Sequence, residues 1–226
     1  RGQPQSCAGS PVVSIDAGEA VEIRVGDLGS QVDWAGLFGG DGPIEIDVGC
    51  GRGMYLIDAA LARPDACFLG VELVPKPFYK ACERVAKRGI ANVRLVRADA
   101  RQLFADVVPP ASVSTVHVQF PDPWPKKKHH KRRVVTPEFV ASVATALRPG
   151  GSLHIATDIA DYFDELLLVV EGSGAFRLVT EGRYDAAGEI VTNFAAKYRE
   201  QGREMYDAWL ELADLDAGAA TGDTPF

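Results

Sequence analysis

The chain has little sulfur, no long apolar run and a shortage of positive charge. Four Cys and two Met occur in 226 residues. Cys7, Cys50, Cys67 and Cys82 form no CxxC pair and have no histidine at ligand spacing, so a zinc module is excluded. They read as small buried thiols in a reducing compartment. Nowhere is there a run of the ~18 apolar residues that a membrane helix needs. The N-terminus also lacks the apolar stretch of a secretion signal. These absences make a cytoplasmic protein the expectation, with no membrane partner and no metal. Lys and Arg number 24 against 31 Asp and Glu, for a net charge of −7. A chain this acidic does not coat nucleic acid indiscriminately, although it can carry a local basic patch. With 46% apolar residues it can bury one good core.

The scarce positive charge is concentrated. Lys126 to Arg133 reads KKKHHKRR, eight residues of which six are Lys or Arg and two are His. Directly before it stands Phe120-Pro121-Asp122-Pro123-Trp124-Pro125, a rigid turn that fixes one aspartate between two prolines. A basic run on an acidic protein is the footprint of a polyanion-binding face.

Around this segment the chain alternates between strand and helix patterns. Residues 1–30 are rich in Gly, Ser and Pro and read as a loosely attached arm, with 21–25 as one candidate edge strand. Residues 31–215 form the domain, and 216–226 a flexible tail. Strands are expected at 44–48, 67–72, 92–99, 113–120 and 152–157. Helices are expected at 54–63, 77–87, 136–148 and 162–170. Thr136-Pro137 is an N-cap followed by proline at the first helical position. The last part changes character, with strands at 176–180 and 206–212 around a helix at 194–202. The pattern predicts an α/β fold of Rossmann-like type, with right-handed crossovers and a mostly parallel sheet closed by an antiparallel C-terminal strand.

In such sheets ligands sit at the carboxyl ends of the strands. Asp47-Val48-Gly49-Cys50-Gly51-Arg52-Gly53 occupies that position after the first regular strand. A dinucleotide loop wants its third glycine where Met54 stands, so that pyrophosphate can reach the helix N-terminus. Here the spacing is GxGxG through Gly49, Gly51 and Gly53, and Asp47 precedes it. That carboxylate would repel pyrophosphate but suits the ammonium and sulfonium of S-adenosylmethionine. Glu72 at the next strand end is placed for ribose hydroxyls, and Asp99 at the third for the adenine amino group. Acidic residues at three successive strand ends predict a class I S-adenosylmethionine-dependent methyltransferase.

With these motifs in place, residues 32–212 resemble the bacterial tRNA (guanine-N(7)-)-methyltransferase family. The most specific element is FPDPWPKKKHHKRR from Phe120 to Arg133. Ala156-Thr157-Asp158 and the Thr192-Asn193-Phe194 element support it. The resemblance implies that Asp47, Glu72, Asp99 and Asp122 contact S-adenosylmethionine, with Asp122 also the catalytic aspartate. It implies that Lys126, Asp158 and the segment with Thr192, Asn193 and Ala195 contact the guanine. Lys128, His129, His130, Lys131, Arg132 and Arg133 would contact tRNA, and the modified base would be guanosine 46 of the variable loop. One departure stands out. The family usually has glutamate where this chain has Ala195, so one acceptor for the base is lost. That is worth about 1–3 kcal/mol where such a bond is buried and charged.

The residues leave two other readings open. A small-molecule methyltransferase would leave the basic run unexplained, and a non-catalytic RNA-binding module with this fold would make Ala195 unremarkable. Trp124 is either a stacking platform for a base or an anchor for its loop. His117 and His154 lie inside strands and read as packing residues. Assembly is expected to be monomer or homodimer.

Overall fold

The computed structural model describes residues 21–183 and 204–213. An eight-stranded sheet runs through the molecule in the order β1-β4-β3-β2-β5-β6-β8-β7. The central strands are β2 (Ile44–Val48), β3 (Cys67–Glu72), β4 (Val93–Arg97), β5 (Val113–Gln119) and β6 (Leu147–Thr157). All pair in parallel. β8 (Tyr206–Leu212) runs antiparallel to β6 and to β7 (Phe176–Arg183), so one reversed strand closes that side as expected. At the other edge β1 (Glu22–Ile23) pairs in parallel with β4. Ile23 and the nearby Leu28 are buried, so residues 21–28 are part of the packed structure.

The helices α2 (Met54–Ala62), α3 (Pro75–Lys87), α5 (Pro137–Ala146) and α6 (Ala160–Glu171) follow the expected crossovers. Thr136 caps α5 by accepting the N–H of Phe139, with Pro137 at the first position. Two further helices were not foreseen: α1 (Trp34–Phe38) and α4 (Ala100–Asp106). α4 and its C-cap carry Ala100, Leu103, Phe104 and Val107 at one-face helical spacing, all buried. The strand expected at 92–99 therefore stops at Arg97, because Asp99 turns the chain by capping α4. β6 starts at Leu147, ahead of Pro149-Gly150-Gly151, and its register against β5 shifts there.

The sheet has two unequal cores. The larger packs β-strand residues such as Ile46 and Val116 against Leu103, Phe139 and Leu166 of the helices. The smaller lies under α2 and α3 and holds Leu56, Phe68, Phe78 and Leu95. Each of these large side chains contributes about 1.5–3 kcal/mol by leaving water. Gly70 on β3 is where α2 comes closest. A Cβ there would stand 2.4 Å from Leu56 Cδ1 and 2.5 Å from Leu95 Cδ2. Gly70→Ala would therefore make the side-chain ends of Leu56, Leu95 and Cys50 shift, and Cys50 belongs to the loop that begins the site.

Candidate active site

The glycine loop is built by hydrogen bonds that use most of its amides internally. Gly49, Gly51 and Gly53 take positive φ values of 74°, 56° and 71°, which residues with a Cβ rarely adopt. Gly49 and Cys50 both donate to the carbonyl of Val71, and Gly53 donates to that of Cys50. Glu72 completes the brace: its carboxylate accepts from Gly51 N–H at 3.0 Å and Val74 N–H at 2.7 Å. The residue expected to hold the ribose hydroxyls thus also fixes the loop.

Asp47 is 4% exposed, with Glu72 as its charged neighbour. Burial, and then the charge of Glu72, push its carboxyl up to about 7. A pair of buried carboxylates held this way is a site that a cation completes, since the cation favours ionisation of both. Asp99 has the opposite setting. Its carboxylate caps Arg101 N–H and takes a bidentate contact from the Arg101 side chain at 3.1 and 2.6 Å, which holds it below the usual range. A cavity of about 370 Å³ opens beside it, lined by Val25, Leu73, Ala98, Asp99, Gln102 and Leu103 among others. Val25, Leu73 and Leu103 give it an apolar wall, and Asp99, Asp106, Arg97 and Gln102 give it polar groups, so it offers a surface to a purine ring and carboxylates to its amino group. Together, a buried carboxylate pair that a cation completes and a cavity with an apolar wall and carboxylates fit S-adenosylmethionine.

Across the switch point, β5 ends at Gln119 and the chain enters the Pro-Asp-Pro-Trp turn through backbone strain. Phe120 has φ 51° and Trp124 φ 43°, and neither is glycine. Such conformations cost on the order of 1–3 kcal/mol each and persist only where the surroundings impose them. Here Phe120 N–H donates to Ala156 O at 2.7 Å. Asp122, between the two strained residues, is exposed. The basic run then winds as a 3-10 turn over Lys127–Arg132. Lys126, Lys127, Lys128, Lys131 and Arg132 are exposed, and His129 and His130 half-buried.

The cations of this turn divide by task. Arg133 is half-buried: its Nε donates to Pro123 O at 2.8 Å, its guanidinium pairs with Glu165 on α6, and it lies 4.8 Å over the Tyr162 ring. It clamps the aspartate turn to α6. Arg132 lies 4.8 Å over the Trp124 ring, which also stacks on His129 at 5.8 Å. Trp124 is thus an anchor, but of the basic turn rather than the core. Lys128 and Lys131 stand toward solvent. From α4, Arg101 donates to Lys131 O at 3.0 Å, so one side chain ties Asp99 to the basic turn. Asp158 follows the end of β6 and is half-buried. Thr192, Asn193 and Ala195, and the helix expected at 194–202, lie outside the described residues.

A polar network that the sequence patterns did not reveal underlies the site. Glu45, 5% exposed, accepts from Arg63 at 2.5 Å and pairs with His117 Nε2 at 2.9 Å. His117 also meets Tyr55 OH and, at 3.4 Å, His154 Nδ1. His154 stacks on Trp209 at 4.3 Å. This polar stripe crosses β2, β5, β6 and β8 directly beneath Asp47 and ties α2 to the sheet. Burial, only partly offset by the bond to Glu45, pulls His117 down to about 4, so it is neutral near pH 7. His117 and His154 are structural, as their strand positions implied. Glu45, the partner of His117, had a signal, an acidic residue between the apolar Ile44 and Ile46.

Sheet order, glycine loop and acidic strand ends define a class I S-adenosylmethionine-dependent methyltransferase, and solved structures agree on the fold. The 16S rRNA methyltransferase KamB superposes with a TM-score of 0.59 at 17% identity, over 78% of this chain and 91% of that one. An antibiotic-related methyltransferase does so at 0.57 and 19%, over 77% and 89%. A family model described as "Putative methyltransferase" matches residues 41–208. The tRNA (guanine-N(7)-)-methyltransferase of Geobacter metallireducens is 33% identical, over 80% of this chain and 87% of its own. That of Halorhodospira halophila is 43% identical over 83% and 82%. That of Bordetella parapertussis is 44% identical over 67% of this chain, a match that spans 59% of the Bordetella protein. The chain belongs to the tRNA (guanine-N(7)-)-methyltransferase family, whose enzymes use S-adenosylmethionine.

Proposed function

We propose that this protein methylates nitrogen 7 of guanosine 46 in the variable loop of tRNA, and that Asp122 is the residue on which the reaction turns. The observation that carries the reading is the strained turn. Two non-glycine residues at positive φ and an arginine clamp hold one exposed aspartate directly before the basic turn, after the strand that neighbours β2 and its glycine loop. Such strain is kept where function needs it.

The chemistry asks for alignment more than for acid or base. Bound S-adenosylmethionine supplies an electrophilic methyl group on a sulfonium. Guanine N7 has a free lone pair; it forms the new bond to carbon as the carbon–sulfur bond breaks, and the electron pair leaves with sulfur. No proton moves. Positive charge would pass from sulfur to the purine ring, and Asp122 would orient the base and stabilise that charge. Asp47 would hold the amino-acid end of the cofactor, Glu72 the ribose and Asp99 the adenine. Asp158 and Lys126 would meet the guanine, with Thr192 and Asn193. Lys128, Lys131 and Arg132 would meet phosphates; His129 and His130 support the turn, and Arg133 acts through the clamp.

A base drawn out of the tRNA fold costs a few kcal/mol in lost stacking, which its pocket must offset. With Ala195 in place of the family glutamate, one acceptor is missing, and Ala195→Glu is expected to raise turnover at limiting tRNA. The test of the function is incubation of unmodified tRNA with labelled S-adenosylmethionine, then mapping of 7-methylguanosine. Label at guanosine 46 is expected. Label elsewhere would overturn the position, and none at all would favour a binding module without catalysis.

A further inference from the structure

Gln119 is the last residue of β5, at the carboxyl end of the sheet, and its carboxamide stands out among the buried polar groups. Both Oε1 and Nε2 are shielded from solvent and have no hydrogen-bond partner among the described residues. Buried amides are ordinarily paired, so an unpaired one at a ligand site calls for a ligand. Strand alternation sets its direction. His117 pairs with Asp47 across β2 and β5, so Gln119, two residues on, shares the sheet face of Asp47 and lies one step nearer the cleft. Across β6 its partner is Ala156, two residues before Asp158. Gln119 therefore lies between the carboxylate assigned to the cofactor and the one assigned to the base, and directly precedes the strained Phe120.

The carboxylates that flank it in register and sequence, Asp47, Asp122 and Asp158, are acceptors. The target base, on the function proposed above, shows two adjacent acceptors on one edge, N7 and O6. N7 must stay free for the methyl group, so O6 is the handle on that edge, and it needs a donor. Arg133 is committed to Pro123 and Glu165, and Lys126 is exposed. A neutral donor also suits the reaction better than a cation, because the ring becomes positive as the bond forms.

We infer that Gln119 is a specificity-determining residue of this site, its Nε2 donating to O6 of the guanine and so fixing N7 toward the methyl group. The inference rests on the guanine reading above. Its test pairs two variants with two substrates. Gln119→Met keeps the size and removes both polar atoms; Gln119→Glu keeps the shape and removes the donor. The substrates are tRNA with guanosine, or with 2-aminopurine riboside lacking O6, at the target position. On guanosine both variants should lose at least tenfold in kcat/KM. On 2-aminopurine, Gln119→Met should cost less than threefold relative to wild type, since that base offers the amide no O6 to begin with. Calorimetric affinity for S-adenosylmethionine should stay within about twofold, and the melting temperature of Gln119→Met should not fall. Equal losses on both substrates with weakened cofactor binding would overturn the inference and assign the amide to the cofactor. Unchanged kinetics would overturn it as well. Wild type giving no 7-methylguanosine would overturn the reaction first, and this interaction with it.

Discussion

The two ends of the cleft hold charge in opposite ways. At the cofactor end, carboxylates are buried or already bonded: Asp47 in the interior, Glu72 to two backbone amides, Asp99 to Arg101. At the RNA end, Lys128 and Lys131 stand in solvent, and rigidity comes instead from prolines, strained backbone and the Arg133 clamp. The first end fits one small cation-bearing ligand whose geometry never varies. On the proposed function the second would meet a large, hydrated polyanion, where long-range attraction counts and fixed geometry would be needed only at Asp122. Arg101 joins the ends, bonding Asp99 with one part of its guanidinium and Lys131 O with another.

The largest effect should come from Asp122, where the two ends meet. Asp122→Ala is expected to reduce methyl transfer to tRNA by about two orders of magnitude or more, as displacement of an aligned group does. The side chain is exposed, so the melting temperature should hold. A variant within fivefold of wild-type turnover would remove Asp122 from the reaction.

Next comes the divide among the cations. Neutralising Lys128, Lys131 and Arg132 together should reduce the slope of log K against log salt by about 2 to 3, at roughly 0.9 for each phosphate no longer neutralised. Cofactor affinity should not follow. Arg133→Ala should do the reverse. It breaks a carbonyl bond, an ion pair and a stacked arrangement, so it should lower the melting temperature and turnover while changing the slope by less than one unit. If Arg133→Ala altered only the salt slope, the clamp would be a phosphate ligand after all.

Much of this division was legible in the chain. The glycine spacing, the acidic strand ends and the clustered charge each have a direct physical meaning, and the mostly parallel sheet follows from alternation with right-handed crossovers. What was not legible depends on distance in space. Nothing in KKKHHKRR marks its last arginine as different; only the approach of α6, with Glu165 and Tyr162, makes it so. Arg101 looks like any exposed helical residue until α4 sets it between Asp99 and Lys131. The short α4 was readable from Ala100, Leu103, Phe104 and Val107, yet the preceding strand pattern ran into it. Glu45 and His117 sit 72 positions apart and meet only because β2 and β5 are neighbours.

A smaller effect belongs to the cofactor end. Glu72→Gln keeps the shape but removes the charge that accepts two N–H groups, so about 1–3 kcal/mol of loop order and cofactor affinity should be lost. Calorimetry and thermal melting should both register it. The same substitution removes the charge that raises Asp47, so the Asp47 carboxyl should fall from about 7. If affinity were untouched, Glu72 would be a brace alone and the ribose would be held elsewhere.

The smallest and most specific effect is one of pH. Asp47 titrates near 7 in the free protein, while its unfolded value is 3.8. A raised carboxyl means that the folded state keeps a proton that the unfolded state releases, so this group lowers stability as pH rises from about 4 to about 7. Cofactor binding has the opposite sign. A cationic amino-acid end prefers ionised Asp47, so affinity for S-adenosylmethionine should be level above pH 7 and fall as pH drops below it. The limit is about tenfold per unit while the bound state stays ionised. Asp47→Asn, uncharged at every pH, should bind more weakly at pH 8 and lose that dependence. A tRNA affinity that followed the same curve would mean that the state of Asp47 is felt at the basic turn as well. Titrations of wild type and Asp47→Asn with S-adenosylmethionine and with tRNA separately, from pH 5.5 to 8.5, would separate a cofactor-end effect from a shared one.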